Sequence, residues 1–134
     1  MKIYFDENFS PRLVEGLRAF QAGVPNEGIE VLSIAETFGQ GTPDEEWIPK
    51  VAQQHGIAVT QDRNIHRRRH QWALCNQYKI GIVFVQPPKK GWSYWFIIRL
   101  VVKLWKEITE HSMRARRPFG AEIKATTGRL KPLS

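Results

Sequence analysis

Four short apolar runs constrain the fold of this chain more than any other feature of its sequence. They are KIYF (2–5), IEVLSI (29–34), IAVT (57–60) and IGIVFV (80–85). The last run has no polar residue, which is typical of a strand buried on both faces of a parallel sheet. Because longer segments with helical periodicity separate the runs, the pattern predicts an α/β fold with a central, mostly parallel sheet. The chain length fits one domain, residues 1–134.

The first helix start carries a capping signal. Ser10 is expected to cap a helix whose first residue is Pro11. Its apolar face is formed by Leu13, Leu17 and Phe20. The helix is expected to end near Gly23, before the next apolar run begins.

A second helix is expected in the segment TPDEEWIPKVAQQHG, with Thr42 as its cap and Pro43 at its first position. Glu45 follows Thr42 by three residues, as in a capping box. Pro49 predicts a kink or a short first piece, because a proline inside a helix removes a backbone hydrogen bond. Residues 64–77 are predicted to form a further helix.

The longest predicted helix covers residues 92–112, WSYWFIIRLVVKLWKEITEHS. Its apolar stretch is shorter than a bilayer requires and is interrupted by Arg99 and Lys103, so neither a transmembrane span nor a membrane partner is expected. The rest of the circumference is nearly all apolar, which predicts cover on more than one side. The sheet would supply one cover. A homodimer contact or a C-terminal hairpin, residues 119–133, would supply the other.

The net charge of +7 is distributed unevenly along the chain. Residues 1–62 carry a net charge of −6, whereas residues 63–134 carry +13. A basic half of this size predicts a polyanionic partner, most simply nucleic acid, because neutralising phosphates releases counterions.

The single cysteine and the acidic N-terminal segment bear on location. Cys75 alone excludes an internal disulfide and a cysteine-based zinc site, and it suits a reducing compartment. The segment MKIYFDENFS carries acids where a signal peptide requires an apolar run. A cytoplasmic location is therefore expected.

Acidic residues follow two of the predicted strands and begin a predicted helix. Asp6 comes after the first strand, Asp62 after the third, and Asp44 and Glu45 at the start of the segment PDEE. If the first and third strands are neighbours, these carboxylates meet at the carboxyl edge of the sheet, where ligands bind in open parallel sheets. Gathered carboxylates repel one another unless a cation compensates, and oxygen-only coordination favours Mg²⁺ or Mn²⁺ over zinc.

Three motifs in this order resemble those of the PIN and PIN-like nucleases, particularly short PIN-like proteins related to the VapC-type toxins of bacterial toxin–antitoxin systems. The motifs are IYFDENFSPRL, GQGTPDEEW and AVTQDRNI, and the resemblance covers residues 1–86. It implies a three-layer α/β/α fold and Mg²⁺- or Mn²⁺-dependent hydrolysis of RNA. A toxin role, with an antitoxin protein as partner, is a further implication.

The resemblance also implies roles for individual residues. Asp6, Asp44 and Asp62 would be the catalytic, metal-binding carboxylates, and Glu45 would assist as a fourth ligand. The supporting positions are Glu7, Asn8, Thr60 and Asn64. Many members carry an acid where this chain has Asn64, so its second metal would be weakened or the site would bind RNA without efficient cleavage.

Basic residues follow Asp62 directly in RNIHRRRH. Arg63, Arg67 and His70 share one stripe of the predicted helix through their i, i+4 and i+3 spacing. Because this stripe begins beside Asp62, it predicts binding of RNA phosphates near the metal. A solvated helical face is the alternative interpretation.

Each acid also has a purely structural interpretation. Asp6 has the sequence context of an Asx turn, and Asp44 and Glu45 complement the dipole of a first helical turn. Asp62 would then pair with Arg63 or Arg67. Two other functions stay open: an RNA-binding protein without turnover, and an interaction module that dimerises through residues 92–112.

Overall fold

The computed structural model describes residues 1–61, 64–88 and 93–133. The strands are β1 (Lys2–Phe5), β2 (Glu30–Ser33), β3 (Ile57–Gln61), β4 (Gly81–Gln86), β5 (Phe119–Lys124) and β6 (Arg129–Leu133). The α-helices are α1 (Pro11–Gln21), α2 (Ile34–Phe38), α3 (Asp44–Gln53), α4 (Ile65–Tyr78) and α5 (Tyr94–Arg114), and a 3₁₀ turn covers Pro25–Glu27.

The strands form one sheet in the order β2-β1-β3-β4-β5-β6. The first five strands of that order pair in parallel, and β6 runs antiparallel to β5. The predicted α/β fold with a mostly parallel sheet is thereby confirmed, as is the hairpin at residues 119–133. The hairpin covers α5 as part of the sheet, because β5 pairs with β4, and Ile123 of β5 and Leu130 of β6 lie in the same core as the buried face of α5.

Alternation along the strands directs side chains into two cores, one on each face of the sheet. Ile3, Phe5 and Val59 face α1 and α5. Tyr4 and Phe84 face α3 and α4. This confirms the three-layer arrangement. Each fully buried large apolar side chain stabilises the fold by about 1.5–3 kcal/mol through removal of its surface from water.

Cys75 lies in the second core and has no exposed surface. Burial, together with the negative charge of Asp44, raises the pKa of its thiol to about 12. The thiol is therefore protonated at neutral pH and packs as a small apolar group.

Helix α1 begins as predicted but buries a different stripe. The Ser10 hydroxyl accepts a hydrogen bond from the backbone N–H of Arg12 at 3.2 Å. The buried residues are Leu13, Val14, Leu17 and Gln21. Phe20 is 67% exposed, so its prediction as a core residue was wrong. At 100° per residue it lies about 75° from the centre of the buried stripe.

The start of α3 also differs from the prediction. The helix begins at Asp44 with Pro43 as its cap residue, so Thr42 is not the cap and Glu45 completes no capping box. The Thr42 hydroxyl lies 3.0 Å from the carbonyl oxygen of Phe38 and 2.6 Å from that of Gly39, and therefore closes the turn after α2. That short helix replaces the end of the predicted second strand, because the Ser33 hydroxyl caps it.

Pro49 lies inside α3 without ending it, because the helix continues to Gln53. The predicted short first piece is therefore not found. A proline here removes one backbone hydrogen bond, to the carbonyl of Glu45, and that residue is exposed to water.

Helix α5 begins at Tyr94, where the Ser93 hydroxyl accepts a hydrogen bond from the N–H of Phe96 at 3.1 Å. Its prediction began at Trp92, which lies outside the described residues. The core-facing residues are Ile97, Leu100, Val101, Leu104 and Ile108, at helical spacing. Trp95 and Val102 remain exposed on another face. Within the described ranges, no helix is both long and apolar enough to cross a membrane.

Candidate acidic site at the carboxyl ends of the strands

Strands β1 and β3 are neighbours, and this places Asp6 beside the end of β3. The backbone N–H of Asp6 donates to the carbonyl oxygen of Val59 at 3.1 Å. In return, Oδ2 of Asp6 accepts a hydrogen bond from the backbone N–H of Gln61 at 3.2 Å. Asp62 follows Gln61 in the sequence, but both Asp62 and Arg63 lie outside the described residues.

The Asp6 side chain combines an Asx turn with deep burial. Its Oδ1 accepts a hydrogen bond from the backbone N–H of Asn8 at 3.1 Å, which is the turn geometry expected from the sequence. The residue is only 4% exposed. Burial raises its pKa to about 6, although the N–H of Gln61 and the charge of Arg67 act in the opposite direction.

A turn alone does not require that burial, because Asx turns form equally well at the surface with the carboxylate in water. Asp6 therefore holds an ionisable group in a position that disfavours its charge. Perturbed carboxyl groups of this kind are more frequent at functional sites than elsewhere.

Asp44 begins α3. All of its side-chain hydrogen bonds and ion pairs with described residues involve one carboxylate oxygen, Oδ1. Oδ1 accepts hydrogen bonds from Nε1 of Trp47 at 2.9 Å and from Nε2 of Gln71 at 3.4 Å. Nη2 of Arg67 lies 3.5 Å from the same atom. Oδ2 has no hydrogen-bonding partner among the described residues, so those residues orient the carboxylate through one oxygen.

Arg67 links the two carboxylates electrostatically. Besides its ion pair with Asp44, its positive charge lowers the pKa of Asp6. The Arg67 side chain is 41% exposed, so one part of it faces the acids while another part faces solvent. The predicted phosphate-binding residue therefore lies at the acidic site, where it compensates carboxylate charge.

Glu45 and His70 contact each other across α3 and α4. Nε2 of His70 and Oε1 of Glu45 form a hydrogen bond, and both side chains are about half exposed. A hydrogen bond from its own backbone N–H lowers the pKa of Glu45, and the contact with His70 lowers it further. The structure thus pairs a predicted metal ligand with a predicted phosphate ligand, on the outer side of the site.

The predicted supporting residues hold the rim of the site together. Oε2 of Glu7 accepts a hydrogen bond from the N–H of Gly41 at 2.9 Å, which ties the segment after β1 to the loop before α3. The carbonyl oxygen of Asn8 accepts a hydrogen bond from Nε2 of Gln61 at 2.8 Å. The Thr60 hydroxyl lies 3.4 Å from Oε1 of Gln71.

Sequence reasoning missed three residues that orient the acids. Trp47 and Gln71 hold Asp44, and Gln61 holds both Asp6 and Asn8. The i, i+3 spacing of Asp44 and Trp47 within one helix was a usable signal. The sequence signal for Gln71 was weaker, since it is an amide in a helix of poor amphipathicity. Its contact with Asp44 depends on how α3 and α4 pack.

Asn64 is the N-cap of α4. Its Oδ1 accepts hydrogen bonds from the backbone N–H groups of His66 at 2.8 Å and Arg67 at 3.3 Å. The side chain thereby positions the first turn of the helix that carries Arg67. Asn64 thus has a structural role that an aspartate would fill equally well.

Replacing the cap tests this role. We expect Asn64→Ala to lower the free energy of unfolding by about 1 kcal/mol, whereas Asn64→Asp retains the wild-type value because both side chains cap helices well. Urea denaturation measures the difference. Asn76→Ala is the matched control, because Asn76 lies in the last turn of the same helix and, among the described residues, its side chain bonds the carbonyl of Trp72 alone, so alanine there should not destabilise. Equal losses for Asn64→Ala and Asn76→Ala would contradict a specific capping role.

The chemistry of the acids fits a hard divalent cation. Asp6 and Asp44 offer only carboxylate oxygens, the donors that Mg²⁺ and Mn²⁺ prefer, and Asp6 is a buried carboxylate whose charge Arg67 partly compensates. Residues 1–61, 64–88 and 93–133 contain no group of three His, Cys, Asp or Glu side chains placed to share an ion. The third carboxylate expected from the sequence, Asp62, lies outside those ranges.

Comparison with known proteins identifies the fold. A family model described as a PIN like domain matches residues 1–87. No curated protein matches the chain. No solved structure matches it. The matched range includes β1 to β4 and the acidic site, and it ends before α5 and the hairpin. The family is related to nucleases. Since the match covers well over half of its residues, the chain belongs to the PIN-like domain family.

Proposed function

We propose that this protein is a PIN-type endoribonuclease that uses Mg²⁺ or Mn²⁺. The observation that carries the proposal is Asp6, a carboxylate 4% exposed at a strand end, with its pKa raised to about 6 and Asp44 nearby through Arg67. Membership of a nuclease-related family gives that arrangement its chemical meaning.

In the proposed mechanism Asp6 and Asp44 would hold the divalent ion, with Asp62 as the third carboxylate. A bound ion of this kind lowers the pKa of a water molecule and polarises a phosphoryl oxygen. The protein fixes the carboxylates beforehand: the N–H groups of Asn8 and Gln61 hold Asp6, and Trp47 and Gln71 hold Asp44. Oδ2 of Asp44, which has no hydrogen-bonding partner among the described residues, is proposed as the atom that would bind the ion.

Arg67 has two proposed tasks. It compensates the carboxylates when the site is empty of other cations, and its solvent-facing part binds a phosphate of the RNA. Arg63 and His70 are proposed as further phosphate ligands from the sequence pattern. For His70 this requires release from Glu45, a contact between two exposed side chains that costs little to break.

The test is cleavage of single-stranded RNA by the purified protein with Mg²⁺, with Mn²⁺ and with EDTA. We expect internal cleavage with either metal and none with EDTA. Asp44→Asn and Asp62→Asn should remove the activity. Glu46→Gln is the matched control, because Glu46 is an exposed acid in the same helical turn as Asp44. Cleavage that persists in EDTA, or in both aspartate variants, would refute the proposal.

A second candidate is an RNA-binding protein without turnover. It is favoured by Asn64, which caps α4 where many relatives carry a further acid, and by the pairing of Arg67 with Asp44. It predicts that the protein binds RNA equally well with and without EDTA. It also predicts that the Asn64→Asp variant still does not cleave RNA.

The toxin role is part of the same proposal, with a cytoplasmic location and an antitoxin partner. It is supported by the family and by exposed apolar side chains on α5, which suit either an antitoxin or a second copy of the chain. They are Tyr94, Trp95, Val102 and Met113. Light scattering at several protein concentrations distinguishes a homodimer from a monomer that requires a different partner.

A further inference from the structure

The hairpin of β5 and β6 carries a basic cavity that lies apart from the acidic site. The cavity has a volume of about 320 Å³, and its lining includes three cationic side chains and one acid. The cations are Lys124, Arg129 and Lys131, and the acid is Glu122. The register of the hairpin explains the grouping, because Lys124 pairs with Arg129 and Glu122 pairs with Lys131 across the two strands.

Glu122, the one acid among the described lining residues, is already paired with cations. Oε2 of Glu122 lies 2.9 Å from Nη2 of Arg68, and Oε1 lies 3.8 Å from Nζ of Lys124. Arg68 also lies over the ring of Phe84, with its guanidinium carbon 4.8 Å from the ring centroid. Arg129 and Lys131 have no ion pair among the described residues, and both are exposed. The cavity therefore presents uncompensated positive charge to solvent.

A second basic cleft lies on the other face of the hairpin turn. It has a volume of about 240 Å³, and its charged lining residues are Arg99 and Lys103 of α5. Gly128, in the turn, contributes to the same cleft. No acid lines this cleft in the described part of the chain. The turn that joins β5 to β6 is thus flanked by cations on both faces.

The hairpin turn lies at the same edge of the sheet as Asp6. Strands β1, β3, β4 and β5 are parallel neighbours, so their carboxyl ends share one edge. The N–H of Ala125 donates to the carbonyl oxygen of Gln86 at 3.2 Å, which fixes the turn against the end of β4. Three strand spacings separate β1 from β5, a distance of about 14 Å that a few nucleotides of an extended strand can bridge.

We propose that the hairpin is a phosphate-binding surface for single-stranded RNA whose scissile part is held at the acidic site. Clefts of this size admit a phosphate or a nucleotide. The inference rests on the proposed function for its substrate. The surface itself belongs to the part of the chain beyond the family match, since all of its residues except Arg68 follow residue 87.

The experiment measures binding without cleavage. Fluorescence anisotropy follows a short labelled single-stranded RNA in EDTA at several salt concentrations, with the full chain and with Arg129→Gln/Lys131→Gln. These positions leave both partners of Glu122 in place. The control pair is Arg114→Gln/Arg116→Gln, which removes the same charge from exposed residues at and just past the end of α5. Arg99→Gln/Lys103→Gln tests the second cleft.

Both hairpin-side pairs should weaken RNA binding about tenfold and reduce the salt dependence of log K by about 1.4, at about 0.7 per lost phosphate contact on a single strand. The control pair should change the affinity and its salt dependence by less than half as much. Equal losses in all three pairs, or binding of a polyglutamate peptide in preference to RNA, would overturn the inference. Absent cleavage with normal binding would instead overturn the proposed function and leave this surface standing.

Discussion

Asp6→Asn is expected to lower metal-dependent cleavage of RNA by at least about 100-fold while the protein remains folded. Loss of a partner that only supports a metal ligand typically costs 10–100-fold, and Asp6 is proposed as a ligand itself. Asparagine retains one oxygen of similar size but carries no charge. The Asx turn to Asn8 can therefore form while the attraction for a divalent cation is lost.

The same variant provides a readout that does not depend on activity. An ion that binds only the folded protein raises its melting temperature, with a gain of about 1.4 kcal/mol when the ion is present at about ten times its dissociation constant. Mn²⁺ should therefore raise the melting temperature of the wild type and of Glu46→Gln, but not that of Asp6→Asn. A Mn²⁺ shift retained in Asp6→Asn would show that the ion binds elsewhere.

The strands and the location of the acids were predictable because both depend on local signals. The run 80–85 has no polar residue, and it forms a fully buried central strand. Asp6 follows a strand directly, so its position at the carboxyl edge follows from a parallel sheet. The neighbouring positions of β1 and β3 were only a condition in the sequence argument, and the structure meets that condition.

Contacts between elements were not predictable in the same way. Thr42 and Pro43 carry an ordinary capping pattern, yet Thr42 bonds the end of α2, a helix of five residues that is too short to show periodicity. Gln71 reaches Asp44 only because α4 packs beside α3. Such contacts depend on tertiary packing, which a local sequence pattern does not indicate.

Asn64 shows how one residue supports two interpretations. From the sequence it was a missing carboxylate, and in the structure it is a helix cap whose two hydrogen bonds set the first turn of α4. The two interpretations are compatible, because aspartate caps a helix as well as asparagine does. Asn64→Asp therefore adds a charge near the site without disturbing the helix that positions Arg67.

The free energy of unfolding of the metal-free protein should contain a contribution from Asp6 that falls by about 3 kcal/mol as the pH rises from about 3 to about 7. The pKa of Asp6 is about 6 in the folded protein and 3.8 in the unfolded chain. Each pKa unit of that difference corresponds to about 1.4 kcal/mol of stability. Below about pH 3 the carboxyl is protonated in both states. Between the two pKa values the unfolded chain has lost the proton while the folded protein still holds it, so a rising pH favours unfolding.

Urea denaturation in EDTA at several pH values isolates this contribution when the wild type is compared with Asp6→Asn. Other carboxyl groups contribute to both proteins and cancel, including Glu45, whose lowered pKa acts in the opposite direction. The difference between the two proteins should therefore change by about 3 kcal/mol between about pH 3 and about pH 7 and stay constant above. A constant difference across the whole range would mean that the folded protein holds Asp6 ionised at no cost, and the burial of its charge would then give no reason to expect a cation at this site.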